Sequence, residues 1–191
     1  MNRRETIQLL AGATGLWWTP SDVRRAADLV ATARRRGGEY EPKFFTPHEW
    51  ETVRMLVDIV IPRDERSGSA TDAGVPEFMD FVMTDRPEGQ TAMRGGLAWL
   101  DTECRRRFGK PFVAGAEAER TQVLDDIALP DRAKPEFSHG AAFFARFRDL
   151  TASGFWSSKM GVEDLQYMGN QFVTEWKGCP SEAIRKLGLS T

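Results

Sequence analysis

Residues 46–62 read TPHEWETVRMLVDIVIP, and this stretch decides the class of the fold. Thr46 is a favoured helix N-cap, Pro47 suits the first helical position, and Glu49 stands where its carboxylate reaches the amide of the cap. Apolar residues then recur every three or four positions until Pro62, which is the spacing of an amphipathic helix. The apolar positions are Trp50, Val53, Leu56, Val57 and Val60. Although the run is rich in β-branched residues, the cap and the period predict a helix rather than a strand.

Four further segments repeat this helical spacing, at 75–84, 88–108, 116–127 and 141–151. The polar residues 62–76 show no period and predict a long loop. We find neither an alternating strand pattern nor a hairpin signal in the chain. The sequence therefore predicts an all-α protein, a compact helical domain of about five to seven helices with an irregular, aromatic-rich C-terminal segment.

Two features inside the segment 88–108 predict how it packs. Gly95 and Gly96 interrupt the apolar pattern, and because glycine lowers helix propensity we expect close packing or a kink there. Cys104 lies on the apolar seam of the same helix, where a free cysteine behaves as a small core residue. Both features indicate a helix that is buried along one side.

The composition is that of a globular protein with one domain's length of chain. The 191 residues are 41% apolar and 28% charged, and such a chain buries roughly 70% of its unfolded surface without needing disulfides or a metal. With 26 Lys+Arg against 28 Asp+Glu, the formal charge of −2 argues against binding to nucleic-acid phosphates. No stretch reaches the ~20 apolar residues of a membrane span. We expect neither a nucleic-acid partner nor a stable transmembrane span.

The first 36 residues differ in charge from the remainder of the chain. They hold seven arginines against three acids, a balance of +4, whereas the other residues carry −6. Arg3 and Arg4 precede about a dozen small or moderately apolar residues and then Pro20, an arrangement typical of a bacterial twin-arginine export signal. The alternative is an ordinary amphipathic arm helix that packs on a partner.

A second part of this arm has the spacing of a short helix. Ser21 is a candidate N-cap, apolar residues recur over 23–33, and the pattern stops at 37–38 with two glycines. The apolar stripe is thin and the opposite side is rich in arginine. Because such a short helix has little stability by itself, we expect it to pack against another surface. We divide the chain into a signal-like arm with a basic helix over 1–38 and a single helical domain over 39–191.

The chain carries no recognisable catalytic motif. Glycine-rich nucleotide loops, the H-E-x-x-H zinc helix, C-x-x-C pairs and the nucleophile elbow are all missing from the sequence. The two histidines are His48, in the first turn of a capped helix, and His139, placed in a loop. Neither has a carboxylate or cysteine at a spacing that suggests a base or a ligand. We predict no catalytic residue and no cofactor or metal bound by this chain, which favours a binding or subunit protein.

The last third of the chain is its most distinctive part. Residues 150–180 read LTASGFWSSKMGVEDLQYMGNQFVTEWKGCP. Three earlier segments accompany it: FFTPHE at 44–49, IPR at 61–63 and AGVPEFMD at 73–80. This ordered set resembles the gluconate 2-dehydrogenase subunit 3 family over about residues 44–180. The set is much more specific than any single segment in it.

The resemblance implies a role in a complex. In that family a small (gamma) subunit typically carries the export signal and accompanies a large flavin-bearing sugar or polyol dehydrogenase subunit that has none. The large subunit belongs to the glucose-methanol-choline oxidoreductase group, holds FAD, and often passes electrons to a cytochrome c subunit that carries haem c. The implied function is therefore a non-catalytic subunit that supports folding, stability and export of the flavoprotein, with a periplasmic location and any membrane association made through the complex.

Two alternatives remain open, one for the substrate and one for the function. The forms GFW at 154–156 and WKGCP at 176–180 look like the branch often found beside glucoside 3-dehydrogenases, which puts gluconate in doubt as the substrate. Outside the family reading, the alternative is a cytosolic all-α adaptor or regulatory protein with a basic N-terminal arm.

Aromatic residues of the C-terminal segment are our candidates for a partner interface. The glycines of residues 154–180 predict little regular structure that could bury these rings internally. Large rigid aromatic side chains dominate protein interfaces. The alternative is that the rings cap the core of the subunit itself. The candidates are Phe155, Trp156, Tyr167, Phe172 and Trp176.

Cys179 is the sixth interface candidate. It lies in a Gly-Cys-Pro turn, where its side chain is expected to be reachable, and a reachable thiol in an oxidising compartment tends to be paired or protected. Three fates are open: a bridge to Cys104, a bridge to the large subunit, or burial at the interface as a free thiol. The first has no support in the sequence, because it would bring a helix middle and a distant turn within ~7 Å.

Overall fold

A computed structural model describes residues 40–167, 169, 172, 174, 175, 178, 179 and 181–188. This part of the chain contains eight α-helices and no β-strand, which confirms the all-α prediction. The helices are α1 Pro47–Val60, α2 Ala70–Ala73, α3 Val75–Asp85, α4 Gln90–Phe108, α5 Glu117–Asp125, α6 Ser138–Trp156, α7 Lys159–Asp164 and α8 Ser181–Lys186. The number exceeds five to seven because α2, α7 and α8 have six residues or fewer, too few to show a period. Arg3, Arg4 and the segment for which a basic helix was predicted lie outside the described residues.

Helix α1 forms as its cap predicts. The amide of Glu49 donates to Oγ1 of Thr46 at 3.3 Å, and the amide of Thr46 donates to Oε2 of Glu49 at 2.9 Å. Two of the otherwise unpaired N-terminal donors are thereby satisfied. Val53, Leu56 and Val57 are completely buried on the inner side of the helix.

Helix α6 is the centre of the core, where it packs against α3, α4 and α1. Its neighbour α4 approaches at Gly96, where an added Cβ would lie 1.8 Å from Cδ2 of Phe143. The expected close packing is therefore confirmed at this glycine. The adjacent Gly95 is exposed, and an added Cβ there would meet nothing within 4 Å. Cys104 is buried in the core, as its place on the seam predicts.

The predicted loop over 62–76 is wrong in its second half. Helix α2 begins at the side chain of Ser69, which accepts from the amide of Asp72, while the amide of Ser69 donates to Oδ2 of Asp72 at 2.8 Å. Gly74 then takes a φ of 89°, and this left-handed conformation lets α3 begin directly after α2. A four-residue helix gives no period in the sequence, so the spacing pattern could not reveal it.

A buried carboxylate ties the start of the domain to α3. Asp80 is fully buried, and its two oxygens accept four hydrogen bonds from the segment 40–45. Oδ2 accepts from the hydroxyl of Tyr40 at 2.8 Å and from the amide of Lys43 at 2.9 Å. Oδ1 accepts from the amides of Phe44 at 2.9 Å and Phe45 at 3.2 Å. Burial and the hydrogen bond to Asp80 raise the pKa of Tyr40 above its usual range.

An acidic group on α4 is held by two arginines. The carboxylate of Glu103 accepts from Nη2 of Arg106 at 2.6 Å and from Nε of Arg107 at 2.5 Å. Nη1 of Arg107 also donates to Oδ2 of Asp126 at 2.7 Å. The guanidinium of Arg107 lies over the ring of Phe137, 5.2 Å from its centroid. The hydrogen bond from Arg106, joined by that from Arg107, lowers the pKa of Glu103 from 4.5 to about 2 although its burial opposes the shift.

We expect Glu103 to make the free energy of unfolding depend on pH in the acidic range. Because its pKa is lower in the folded state, its contribution is complete above about pH 4.5 and is lost as pH falls towards 2. Glu103→Gln should cost about 1–3 kcal/mol at pH 7 and should flatten the loss of stability over that range. Urea unfolding at several pH values measures both effects. The exposed Glu117→Gln is the control, and equal slopes for both variants would contradict the assignment.

Candidate partner interface

Phe155 is not part of any exposed surface, so its prediction as an interface residue is wrong. Helix α6 continues through Trp156, and Phe155 faces the core with 1% of its surface exposed. Gly154 makes this possible, because an added Cβ there would lie 2.8 Å from Cδ1 of Phe78. This glycine therefore serves close helix packing, and not the irregular structure that we expected from residue 154 onward.

The other described aromatics of the set are exposed. Trp156 is 39% exposed, Tyr167 is 60% exposed and Phe172 is 91% exposed. Trp156 rests edge-on against Phe155, with ring centroids 4.9 Å apart, so the core supports one edge of its ring. Trp176 lies outside the described residues. We call Trp156, Tyr167 and Phe172 together the aromatic face, a name that refers to their shared exposure and to their place in one stretch of the chain.

One exposed apolar residue near Tyr167 in the chain was not predicted from the sequence as a candidate interface residue. Leu165 is 56% exposed and lies two residues before Tyr167. It follows directly after α7, whose carboxyl end holds the side chain of Arg66. The available signal in the sequence was an apolar residue within a polar stretch, which is too common on protein surfaces to single it out.

Helix α7 lies between Trp156 and Tyr167 of the aromatic face and is itself held in place. Ser158 caps this helix by accepting from the amide of Gly161 at 3.0 Å. Nε of Arg66 lies 3.3 Å from Oδ1 of Asp164, and the same guanidinium donates to the backbone carbonyl of Asp164. The loop after α1 is thereby connected to the turn that leads to Tyr167. Tyr167 therefore follows a turn that is fixed to the remainder of the domain.

The two cysteines are free thiols with different surroundings. Cys104 is buried, and burial raises the pKa of its thiol to about 11, with a further contribution from the charge of Asp101. Cys179 is exposed. The structure therefore shows no bridge between them, and the other two fates of Cys179 stay open.

The structure also forms one acid–histidine pair that the sequence did not suggest. Nε2 of His48 lies 2.5 Å from Oδ2 of Asp101, 53 residues further along the chain. Asp101 is buried and also accepts from the amide of Phe112 at 3.0 Å and from Arg105 at 3.1 Å. These bonds join α1, α4 and the turn at residue 112, so we assign the pair a structural role. The second histidine, His139, is exposed near the start of α6 and not in a loop.

The described part of the chain offers neither a cluster of metal ligands nor a helix suited to spanning a membrane. No group of three or more His, Cys, Asp or Glu side chains is placed there to hold a metal ion. None of its helices combines the length and apolar character that crossing a membrane requires.

Comparison with known proteins identifies the family. No curated protein and no solved structure matches the chain. The model of the family described as gluconate 2-dehydrogenase subunit 3 matches residues 47–175. This match runs from α1 to the aromatic face, so it includes both the core and the exposed residues described above. Because it covers more than half of the 191 residues, the chain belongs to the gluconate 2-dehydrogenase subunit 3 family, a family of subunits of a dehydrogenase complex.

Proposed function

We propose that this chain is the non-catalytic small subunit of a periplasmic, FAD-dependent dehydrogenase complex, and that the aromatic face binds the flavoprotein subunit. The observation that carries the proposal is the exposure of Trp156, Tyr167 and Phe172 within a chain of this family. Aromatic residues are the usual anchors of interaction sites, and these three are exposed instead of being buried in the core of the domain. The flavoprotein, of the glucose-methanol-choline group, holds FAD and performs the oxidation.

The proposed role is physical support and delivery of the partner. A subunit that binds only the folded flavoprotein stabilises it by mass action. FAD is inserted in the cytoplasm, so the partner must cross the membrane folded, and the twin-arginine signal of this chain would carry both subunits. The substrate belongs to the sugar or glycoside class, with glucoside 3-oxidation favoured by the form of residues 154–156 and 176–180. A cytochrome c subunit is the proposed electron acceptor.

Removing the aromatic face is expected to break the complex. We expect Trp156→Ser, Tyr167→Ser and Phe172→Ser together to weaken binding by at least ~100-fold, since three interface anchors at about 1–2 kcal/mol each are lost. The control is Ile59→Ser with Leu129→Ser, two other exposed apolar residues. The measurement is co-elution of flavin absorbance with the tagged chain when the flavoprotein subunit is co-expressed. Equal flavin recovery from both variants would contradict the assigned interface.

The two cysteines are expected to differ in their reactivity with alkylating reagents, and the reactivity of Cys179 is expected to fall when the partner is bound. Cys179 should be alkylated rapidly in the isolated native chain and protected in the complex. Cys104 should resist alkylation in both, because it is buried and its pKa of about 11 leaves little thiolate. Mass spectrometry after alkylation checks this. Non-reducing electrophoresis then separates the two open fates, since only a bridge gives a band at the summed mass. Equal labelling of Cys179 in both states would place it outside the interface.

A further inference from the structure

Helix α6 exposes one continuous edge along its whole length. Every exposed residue of this helix falls within about 100° of its circumference, because an α-helix has about 3.6 residues per turn. The edge begins at Ser138 and runs through Ala142, Arg146 and Asp149 to Trp156, a distance of about 27 Å. Trp156 belongs to the aromatic face, so the edge leads away from a residue that we assign to the partner interface.

An open groove of about 760 Å³ lies beside this edge, between α6 and α4. An added Cβ on Gly140 of α6 would lie 2.6 Å from the ring of Trp99, and one on Gly96 of α4 would lie 1.8 Å from the ring of Phe143. These two contacts show that α4 and α6 run antiparallel. The lining of the groove on α6 extends from residue 139 to residue 150, and on α4 from residue 92 to Trp99.

The floor of the groove is apolar, and small residues stand at its walls. Met93, Phe147 and Leu150 are buried in the floor. Gly95 and Ala142 are exposed at the walls, and an added Cβ on Gly95 would meet no atom within 4 Å. Room therefore remains above the floor for the side chains of another molecule.

Charged groups of both signs frame the groove. Arg146 is exposed on its α6 side, and Asp149 and Glu88 are exposed at the end where α4 begins. His139 is exposed at the opposite end, beside the half-buried Trp99. An apolar centre with a polar, accessible rim is the arrangement of a protein interface. A surface for anionic lipid or for nucleic acid would instead carry mainly positive charge, so the groove fits a protein partner.

The aromatic face is too small to form a stable interface by itself. A fully covered aromatic side chain buries about 150–250 Å², and Trp156, Tyr167 and Phe172 have 39%, 60% and 91% of their surfaces exposed. Their complete burial would remove on the order of 400 Å² from solvent, whereas a stable interface buries about 800 Å² on each partner. A partner that covers the aromatic face therefore needs further surface, and the edge of α6 connects Trp156 to the groove.

We propose that the flavoprotein subunit covers the exposed edge of α6 from Trp156 to His139 and inserts apolar side chains into the groove between α4 and α6. Acidic side chains of the flavoprotein pair with Arg146, and basic side chains pair with Glu88 and Asp149. This inference rests on the proposed function, because it takes the flavoprotein as the occupant. It adds a second contact region to the aromatic face.

Binding of the purified flavoprotein to the immobilised full-length chain tests the groove. Gly95→Leu fills open space there and removes a residue that weakens helices, so the fold should tolerate it. We expect the dissociation constant of this variant to rise at least ~10-fold, because the leucine excludes the partner's side chains. Ala118→Leu introduces the same side chain at an exposed position of α5 outside the groove and should bind as the parent chain does.

A second variant tests the charged rim and does not alter the packing of the floor. Arg146→Glu should slow association of the flavoprotein about 3–10-fold at low salt and less at high salt, since salt screens charges at the rim of an interface. Arg132→Glu makes the same change at an exposed position outside the groove and is the matched control.

Chemical labelling of the groove identifies its occupant. Ala142→Cys should react rapidly with a maleimide in the isolated chain and slowly in the complex, whereas Ala118→Cys should react rapidly in both. Mass spectrometry of the peptide that contains the new thiol separates its signal from that of Cys179. Slow labelling of Ala142→Cys in the isolated chain would overturn the proposal. A dependence of that slow labelling on protein concentration would identify a second copy of the chain as the occupant.

The outcomes distinguish this inference from the proposed function. The flavoprotein could bind the parent chain and lose affinity for the triple variant of the aromatic face, yet bind Gly95→Leu and Arg146→Glu as it binds their controls. In that case the inference fails and the proposed function stands. If the flavoprotein does not bind the parent chain, both are overturned.

Discussion

Arg3→Lys together with Arg4→Lys is expected to retain this chain and the flavoprotein proposed as its partner in the cytoplasm, with periplasmic dehydrogenase activity falling to background. The twin-arginine receptor distinguishes guanidinium from ammonium, because arginine presents a planar set of donors that lysine lacks. The substitution keeps the charge of the arm unchanged. Fractionation of cells, followed by immunodetection and an activity assay of each fraction, measures the result.

The arm supplies its own control for this experiment. Arg24 and Arg25 form a second adjacent pair, and Arg24→Lys with Arg25→Lys should leave export at its normal level. Periplasmic recovery of the Arg3 and Arg4 variant at that same level would defeat the export proposal. A flavoprotein that is exported and fully active without this chain would show that the subunit is dispensable.

Asp80→Asn is expected to destabilise the isolated subunit by about 2–4 kcal/mol, which corresponds to a fall in Tm of roughly 5–15 °C for a domain of this size. Each carboxylate oxygen accepts two hydrogen bonds from donors of the segment 40–45, whereas an amide has only one oxygen. In the better orientation the new NH₂ group replaces Oδ2 and the hydroxyl of Tyr40 turns to accept from it. The amide of Lys43 then faces another donor in a buried site and loses its partner.

Two further variants separate this explanation from a general effect of charge removal. Tyr40→Phe removes a single donor and should cost about 1 kcal/mol. Asp125→Asn makes the same chemical change at an exposed position of α5 and should be nearly silent. Thermal unfolding followed by circular dichroism gives all three values. A Tm for Asp80→Asn within 1–2 °C of the Asp125→Asn value would contradict the assigned role of this carboxylate.

The helices that the sequence predicted are those whose signals are local. The capping residues Thr46 and Glu49 are three positions apart, and the apolar period of α1 and α4 repeats within one or two turns. Contacts at this range form within one helix whatever surrounds it, so the residue pattern alone predicts them. The short helices α2, α7 and α8 were not predicted, because fewer than two turns give no period.

The sequence predicted that the candidate interface is made of aromatic residues, but not which of these residues are exposed. The sequence alone indicated an all-α subunit with an aromatic C-terminal segment, and that much is confirmed. Phe155 and Trp156 are adjacent in the chain, yet on α6 they point about 100° apart, one into the core and one towards solvent. The orientation of α6 against α3 and α4 decides which ring is buried. Likewise the bonds of Asp80 to the segment 40–45 and of His48 to Asp101 span 35 to 53 residues, and only tertiary packing brings such distant groups together.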